Sequence, residues 1–187
     1  MTGYSKNRQL FDNYPTPSSA TMGLLENEIF TGSIVEPASG SGNISKILEV
    51  YYPDKHIISS DIRTGGIYGL SGVDFLKQDV EFYHYPENII TNPPYQYATN
   101  FILHAKKIAS QKVAMLLKLN ALAGLDRYKR LWTDKNFPLK KVIILVRRPD
   151  FNQKNSPTLE YCWVVWERAF QGETIIKWFN NTKIKVG

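Results

Sequence analysis

The stretch that most constrains this chain is Asn92-Pro93-Pro94-Tyr95, which follows directly on the apolar run Ile89-Ile90-Thr91. Proline fixes φ and lacks an N–H, so two in succession end a strand and force a turn. A turn at the carboxyl end of a buried parallel strand is where open α/β sheets hold their ligands. An amide oxygen, backbone carbonyls that cannot retract into a helix, and a flat aromatic ring together suit a planar substrate bearing an amino group, such as a nucleobase. Asn, Pro and Tyr are also common loop residues, so the same four residues read equally well as a rigid turn. The rest of the chain has to decide between the two.

Ahead of the turn, strand and helix signals alternate. Residues 1–17 read as an irregular arm, with Tyr14-Pro15-Thr16-Pro17 too rich in proline for helix or central strand. Ser18 or Ser19 is a candidate cap for a helix running to about residue 30, with Met22, Leu25 and Ile29 at helical spacing. Ser33-Ile34-Val35 reads as a short strand ending in Glu36-Pro37. Ala38-Ser39-Gly40-Ser41-Gly42 follows, and then a helix opened by Asn43 with Ile44, Ile47, Leu48 and Tyr51 on one face. Strand, Gly-rich loop and helix make the first half of a nucleotide-binding unit. A second strand over 55–60 leads into Asp61, about 20 residues after Gly40, the spacing at which Rossmann-like folds set an acid against a ribose. Residues 73–76 read as a third short strand and 88–91 as a fourth. Beyond the turn, 99–109 and 125–132 have helical spacing, 113–117, 142–146 and 161–166 read as strands, and 174–179 is a candidate eighth. Residues 152–157 have the composition of a mobile loop. The pattern predicts one α/β domain over residues 1–187: a Rossmann-like, seven-stranded, mostly parallel sheet with helices on both faces.

Composition narrows the chemistry. A chain of 187 residues that is 43% hydrophobic has ample material for one core. No apolar run approaches a membrane span, and the first twenty residues lack a signal-peptide core, so the protein is expected to be cytoplasmic. Cys162 is the only cysteine, and His56, His84 and His104 lack metal-ligand spacing, so neither a metal nor a covalent intermediate is expected. Within Cys162-Trp163-Val164-Val165-Trp166 the thiol reads as a small buried hydrophobe. The net charge of +6 is uneven: residues 1–100 hold 6 Lys+Arg against 11 Asp+Glu, whereas residues 101–154 hold 13 against 3. A basic second half suggests a polyanionic partner, and a solvated lysine-rich surface would have the same composition.

Gly40 and Gly42 allow close backbone approach, and the helix after them offers free N–H groups. Ser45 stands where a dinucleotide fingerprint wants a Gly or Ala, which weakens an NAD reading, and no Gly-Lys-Ser/Thr follows to support ATP. The carboxylates of Glu36 and Asp61 suit a ligand that carries an ammonium and a ribose.

Taken together, Tyr14-Pro15-Thr16-Pro17, Glu36-Pro37-Ala38-Ser39-Gly40-Ser41-Gly42, Asp61, Asp74-Phe75-Leu76 and Asn92-Pro93-Pro94-Tyr95 resemble, in order, the motifs of the class I S-adenosylmethionine (SAM) dependent DNA N6-adenine methyltransferases, including small phage-type forms. The resemblance covers most of the chain, from about residue 14 to residue 166. It implies SAM as cofactor, with Thr16 and the 36–42 loop, Glu36, Ala38, Gly40 and Gly42 included, around the methionine end. Asp61 would accept from the ribose hydroxyls, Ile62 would lie against the adenine, and Asp74 would accept from its amine beside Phe75. The Asn92 side-chain oxygen and the Pro93 carbonyl would take the hydrogen bonds of the target amine, with Pro94 shaping the turn and Tyr95 stacking on the base. Phe151 is a candidate second stacking face, and reads as readily as a core aromatic at a strand end. A base within a duplex would have to be flipped out. Basic residues from Lys106 to Lys154, among them Arg127, Lys129, Arg130, Arg147 and Arg148, would meet phosphate.

The chain departs from many such enzymes in having no room for a separate target-recognition domain, so sequence specificity would be short, or supplied by a partner or a homodimer. RNA adenine and a protein glutamine amide are alternative acceptors for the same acceptor geometry. A non-enzymatic SAM-binding or nucleic-acid-binding subunit is the remaining reading.

Overall fold

Asn88–Thr91, the strand that delivers the Asn-Pro-Pro-Tyr turn, is buried along its whole length, and the fold is built outward from it. The computed structural model describes residues 15–151 and 159–182, so Tyr14, the rest of the arm and the 152–157 loop lie outside the described residues. The strands are β1 (Ile34–Glu36), β2 (Ile57–Asp61), β3 (Leu70–Ser71), β4 (Asn88–Thr91), β5 (Lys112–Lys118), β6 (Leu139–Leu145), β7 (Tyr161–Glu167) and β8 (Ile175–Phe179). They form one sheet in the order β3-β2-β1-β4-β5-β7-β6-β8. β7 runs antiparallel to both its neighbours, β5 and β6, and the remaining pairs are parallel. Parallel β8 on the outer side of β6 makes eight strands where seven are expected.

Alternate residues along the strands feed two cores. Ile34, Ile90, Ala114, Leu116, Ile143, Trp163 and Val165 face helix α1 (Ser18–Leu25) and helix α2 (Ser45–Tyr51). Val35, Ile89, Val113, Met115, Val142, Val164 and Trp166 face helix α3 (Ala98–Ile108), whose Phe101, Ile102, Ala105 and Ile108 point inward as the spacing predicts. Cys162 is fully buried in this second layer, where desolvation pushes its thiol up to about 12. Near-continuous burial on β4, β5 and β7 is what strands covered on both faces require.

Several elements differ from their expected bounds. Helix α1 ends at Leu25 and has Pro17, not Ser18 or Ser19, at its N-cap. It stops early because Glu28 turns inward, leaving Ile29 73% exposed. Gly23 lets α1 close on the sheet: a Cβ there would lie 2.8 Å from Phe179 and 2.9 Å from Leu145. The indole Nε1 of Trp163 donates to the Ala20 carbonyl at 2.7 Å, pinning the helix to β7. The expected strand over 73–76 is instead a 3-10 turn, Phe75–Lys77, because the Asp74 carboxylate accepts from the Leu76 N–H and caps it. The third strand lies earlier, at Leu70–Ser71, within the glycine-rich connection. The expected helix over 125–132 is one α-turn, Leu125–Arg127, continued by a π-helical segment, Tyr128–Trp132. Among the described residues no helix is long and apolar enough to cross a membrane.

Candidate functional site

The carboxyl ends of β1, β2 and β4 open into a cavity of about 430 Å³, a volume within the usual range of small-molecule sites. Its lining includes Thr16, Glu36, Ala38, Gly40, Asp61, Ile62, Asp74, Phe75 and Asn92. Residues from five separate motifs, 76 positions apart at the extremes, therefore meet in one place. The motifs taken in order imply this convergence; the parallel register of β1 with β2 and β4 creates it.

At the mouth of β4 the Asn92 amide is held in one orientation. Its Nδ2 donates to Thr16 Oγ1 at 3.0 Å, and Thr16 is itself buried. Asn92 Oδ1 is buried and has no hydrogen-bond partner among the described residues. A buried acceptor left unmade costs on the order of 1–3 kcal/mol, so this oxygen is a strong site for an incoming donor.

Glu36, at the end of β1, is 1% exposed and takes a short hydrogen bond from the Ser45 hydroxyl, which shares a further one with Ser59 at 2.6 Å. Burial pushes its carboxyl up to about 8, the Ser45 bonds oppose that, and the charges of Asp61 and Glu49 add to it. Ser45, which breaks the dinucleotide fingerprint, is thus the residue that seats Glu36. Asp61 behaves in the opposite way. Burial opposes its ionisation, but bonds from Arg63 and from the Gly40 N–H outweigh it and hold the carboxyl below its usual range. Arg63 grips both carboxylate oxygens, with Nε on Oδ1 at 2.9 Å and a terminal nitrogen on Oδ2 at 3.0 Å. Asp74 lines the cavity beside Phe75 and pairs with exposed Lys77 at 3.2 Å.

Some expected residues stand elsewhere. Gly40 has φ 56 and lines the cavity, whereas Gly42 does not: with φ +83, its missing side chain makes room for Tyr68, 2.6 Å from where a Cβ would be. Pro93 is buried behind the lining, which Pro94 joins. Tyr95 lies outside the lining, 5.8 Å ring to ring from Tyr161, with the Lys118 ammonium 4.7 Å over its ring. Phe151 is 7% exposed and packs edge-on against Tyr161 at 4.7 Å, in the core rather than on the cavity wall. The cavity also recruits Pro15, from within the first motif, and Arg63, Gln96 and Tyr97, for which spacing in the sequence carries no signal beyond adjacency to a motif.

Part of the basic second half is turned inward. Lys112, Lys140 and Lys141 converge on buried Glu28 at 2.6–2.7 Å, and Lys140 also reaches Glu167 at 2.6 Å. Burial raises the Glu28 carboxyl, but the three lysines overcome it and bring it down to about 2. Lys106 is buried with Asp134. Arg127 spends its guanidinium on the Ala123 carbonyl, Arg130 pairs with Asp126, and Arg148 pairs with Glu160. Lys129 and Arg147 remain exposed. The charge excess is real, but four of its lysines neutralise internal carboxylates.

No protein-family model and no curated protein sequence matches the chain. Solved structures of similar fold do. The methyltransferase subunit of a type I restriction-modification system from Streptococcus thermophilus superposes with TM-score 0.63 at 15% identity, over 83% of this chain and 45% of that one. A predicted O-methyltransferase from Agrobacterium tumefaciens gives 0.60 at 10% identity over 87% and 84%. Magnesium protoporphyrin IX methyltransferase from Synechocystis, with bound SAM, gives 0.51 at 12% identity over 81% and 76%. The chain spans less than half the length of the restriction-modification subunit. With its sheet order, its glycine loop after β1 and its cavity at the carboxyl ends of the strands, the chain has the class I SAM-dependent methyltransferase fold.

Proposed function

We propose that the protein is a SAM-dependent methyltransferase that methylates the N6 amine of adenine in DNA. The observation that carries this reading is the orphaned, buried Oδ1 of Asn92, held outward by the Thr16 bond to Nδ2.

The lining fits SAM. Glu36 would meet the methionine ammonium, Asp61 the ribose hydroxyls, Ile62 and Phe75 the adenine faces, and Asp74 its exocyclic amine. When bound, the cofactor supplies an electrophilic methyl group on a sulfonium. The chain's own part is to present the acceptor. Asn92 Oδ1 and the Pro93 carbonyl accept the two amine hydrogens of adenine, which draws the nitrogen out of conjugation with the ring and turns its lone pair toward the cavity. Because Thr16 fixes the amide and the prolines fix the turn, this acceptor pair is organised before the substrate arrives, and positioning supplies the rate. Asp61 must exchange Arg63 for the ribose hydroxyls, so the Arg63 fork opens on binding. The fold shared with a type I modification subunit supports DNA as the substrate, and exposed Lys129 and Arg147 are available for phosphate.

The test is to incubate the protein with labelled SAM and offer duplex DNA, single-stranded DNA, RNA and protein in parallel. Label is expected in DNA adenine; label in protein alone refutes the reading. Asn92→Ala should abolish transfer while SAM affinity changes less than severalfold, and surviving transfer would remove Asn92 as the amine acceptor.

A further inference from the structure

We infer that Lys118 is a placeholder for the target base: it rests on the Tyr95 ring in the free protein, gives up that position to the incoming adenine, and passes to the phosphate beside it. The exchange presupposes the nucleic-acid reading above and adds to it a residue that couples base capture to backbone contact.

Three observations meet at this side chain. First, its ammonium lies 4.7 Å over the Tyr95 ring, the surface on which a base is expected to stack. Second, its ammonium enters no ion pair or hydrogen bond among the described residues, whereas Lys106, Lys112, Lys140 and Lys141 are all committed to carboxylates. An ammonium held only by a ring face gains less than one bonded to an anionic oxygen, so a phosphate within reach draws it away. Third, its position faces the approach. In the β4–β5 ladder Thr91 lies opposite Met115, so Asn92 is one residue beyond that rung while Lys118 is three. At about 3.3 Å per residue, Lys118 stands roughly 7 Å further out than Asn92 along the strand direction. It also pairs across the ladder with Tyr161, whose ring supports Tyr95. The flexible four-carbon stem lets the ammonium travel without moving the strand.

The exchange distinguishes Lys118 from an ordinary phosphate contact, because it occurs only when a base takes the ring. Binding of a labelled single-stranded oligodeoxynucleotide containing adenine is measured against salt for the wild-type chain, Lys118→Gln and Lys118→Arg, beside an abasic strand of equal length. Expected are a loss of roughly five- to tenfold in affinity for Lys118→Gln on the adenine strand and a salt slope shallower by about 0.7, the value for one contact on a single strand. Lys118→Arg should keep the slope, and wild type and Lys118→Gln should bind the abasic strand alike. An unchanged slope on the adenine strand overturns the exchange and leaves the methyltransferase reading standing. An equal loss on both strands also overturns it, since Lys118 would then be a phosphate contact independent of the base. Failure of the wild-type chain to bind any strand removes the nucleic-acid reading and the exchange together.

Discussion

Glu36→Gln should make the protein more stable and its cofactor site worse. In the folded chain the Glu36 carboxyl titrates at about 8 against 4.5 for an ordinary glutamate, mainly because burial disfavours its charge. Between these two values the folded chain retains a proton that the unfolded chain has released, so stability falls as pH rises through the window, by about 1.4 kcal/mol per pH unit. By pH 7 the accumulated cost is roughly 3 kcal/mol. Glutamine has nearly the same shape, can still accept the Ser45 bond, and carries no charge at any pH. The variant should therefore match the wild type near pH 4.5 and exceed it by roughly 3 kcal/mol at pH 7, which for a chain of this size is a rise of about 6–12 °C in Tm. The same change removes the carboxyl group that, on releasing its proton to solvent as SAM binds, would meet the methionine ammonium as a carboxylate. A hydrogen bond to a charged group contributes about 1.5–3 kcal/mol, so SAM affinity should fall about ten- to hundredfold. Thermal melts from pH 5 to pH 9, with calorimetric titration of SAM at pH 7.5, read both effects. Wild type and variant melting in parallel across that range would refute the assignment of a buried, proton-holding Glu36. Unchanged SAM affinity would refute its role at the ammonium.

Two further predictions concern residues that pattern alone did not single out. Glu28→Gln leaves Lys112, Lys140 and Lys141 around an uncharged group and should cost about 3–5 kcal/mol at neutral pH, seen as a lowered melting temperature. Because the Glu28 carboxyl is held down at about 2, its contribution is complete above pH 4.5 and is lost as pH falls through about 2, so the gap between variant and wild type should close on acidification. Arg63→Ala should raise SAM affinity several-fold in a calorimetric titration, since the ribose would no longer displace a two-point grip on Asp61. A loss of affinity would make Arg63 part of the cofactor's seat.

The sequence alone determined the parts whose signals are local. Alternation of strand and helix follows from hydrophobic spacing, the turn at 92–95 from two prolines that cannot continue a strand, and the loop at 38–42 from its glycines. The motif order Thr16, Glu36, Asp61, Asp74, Asn92 supplied most of the cavity wall. What pattern could not supply is everything set by contacts between distant segments. Asp74 reads as strand by hydrophobicity and caps a 3-10 turn because its side chain competes for the backbone N–H. Gly42 reads as a ligand-facing glycine and instead receives Tyr68. The second half reads as a basic surface, yet four of its lysines are drawn inward by buried Glu28 and half-buried Asp134, because a carboxylate taken out of water is tolerable only with partners around it. The orientation of the Asn92 amide is decided in the same way: composition specifies an amide at the end of β4, and only the return of Thr16 across 76 residues consumes its N–H and leaves Oδ1 as the open acceptor.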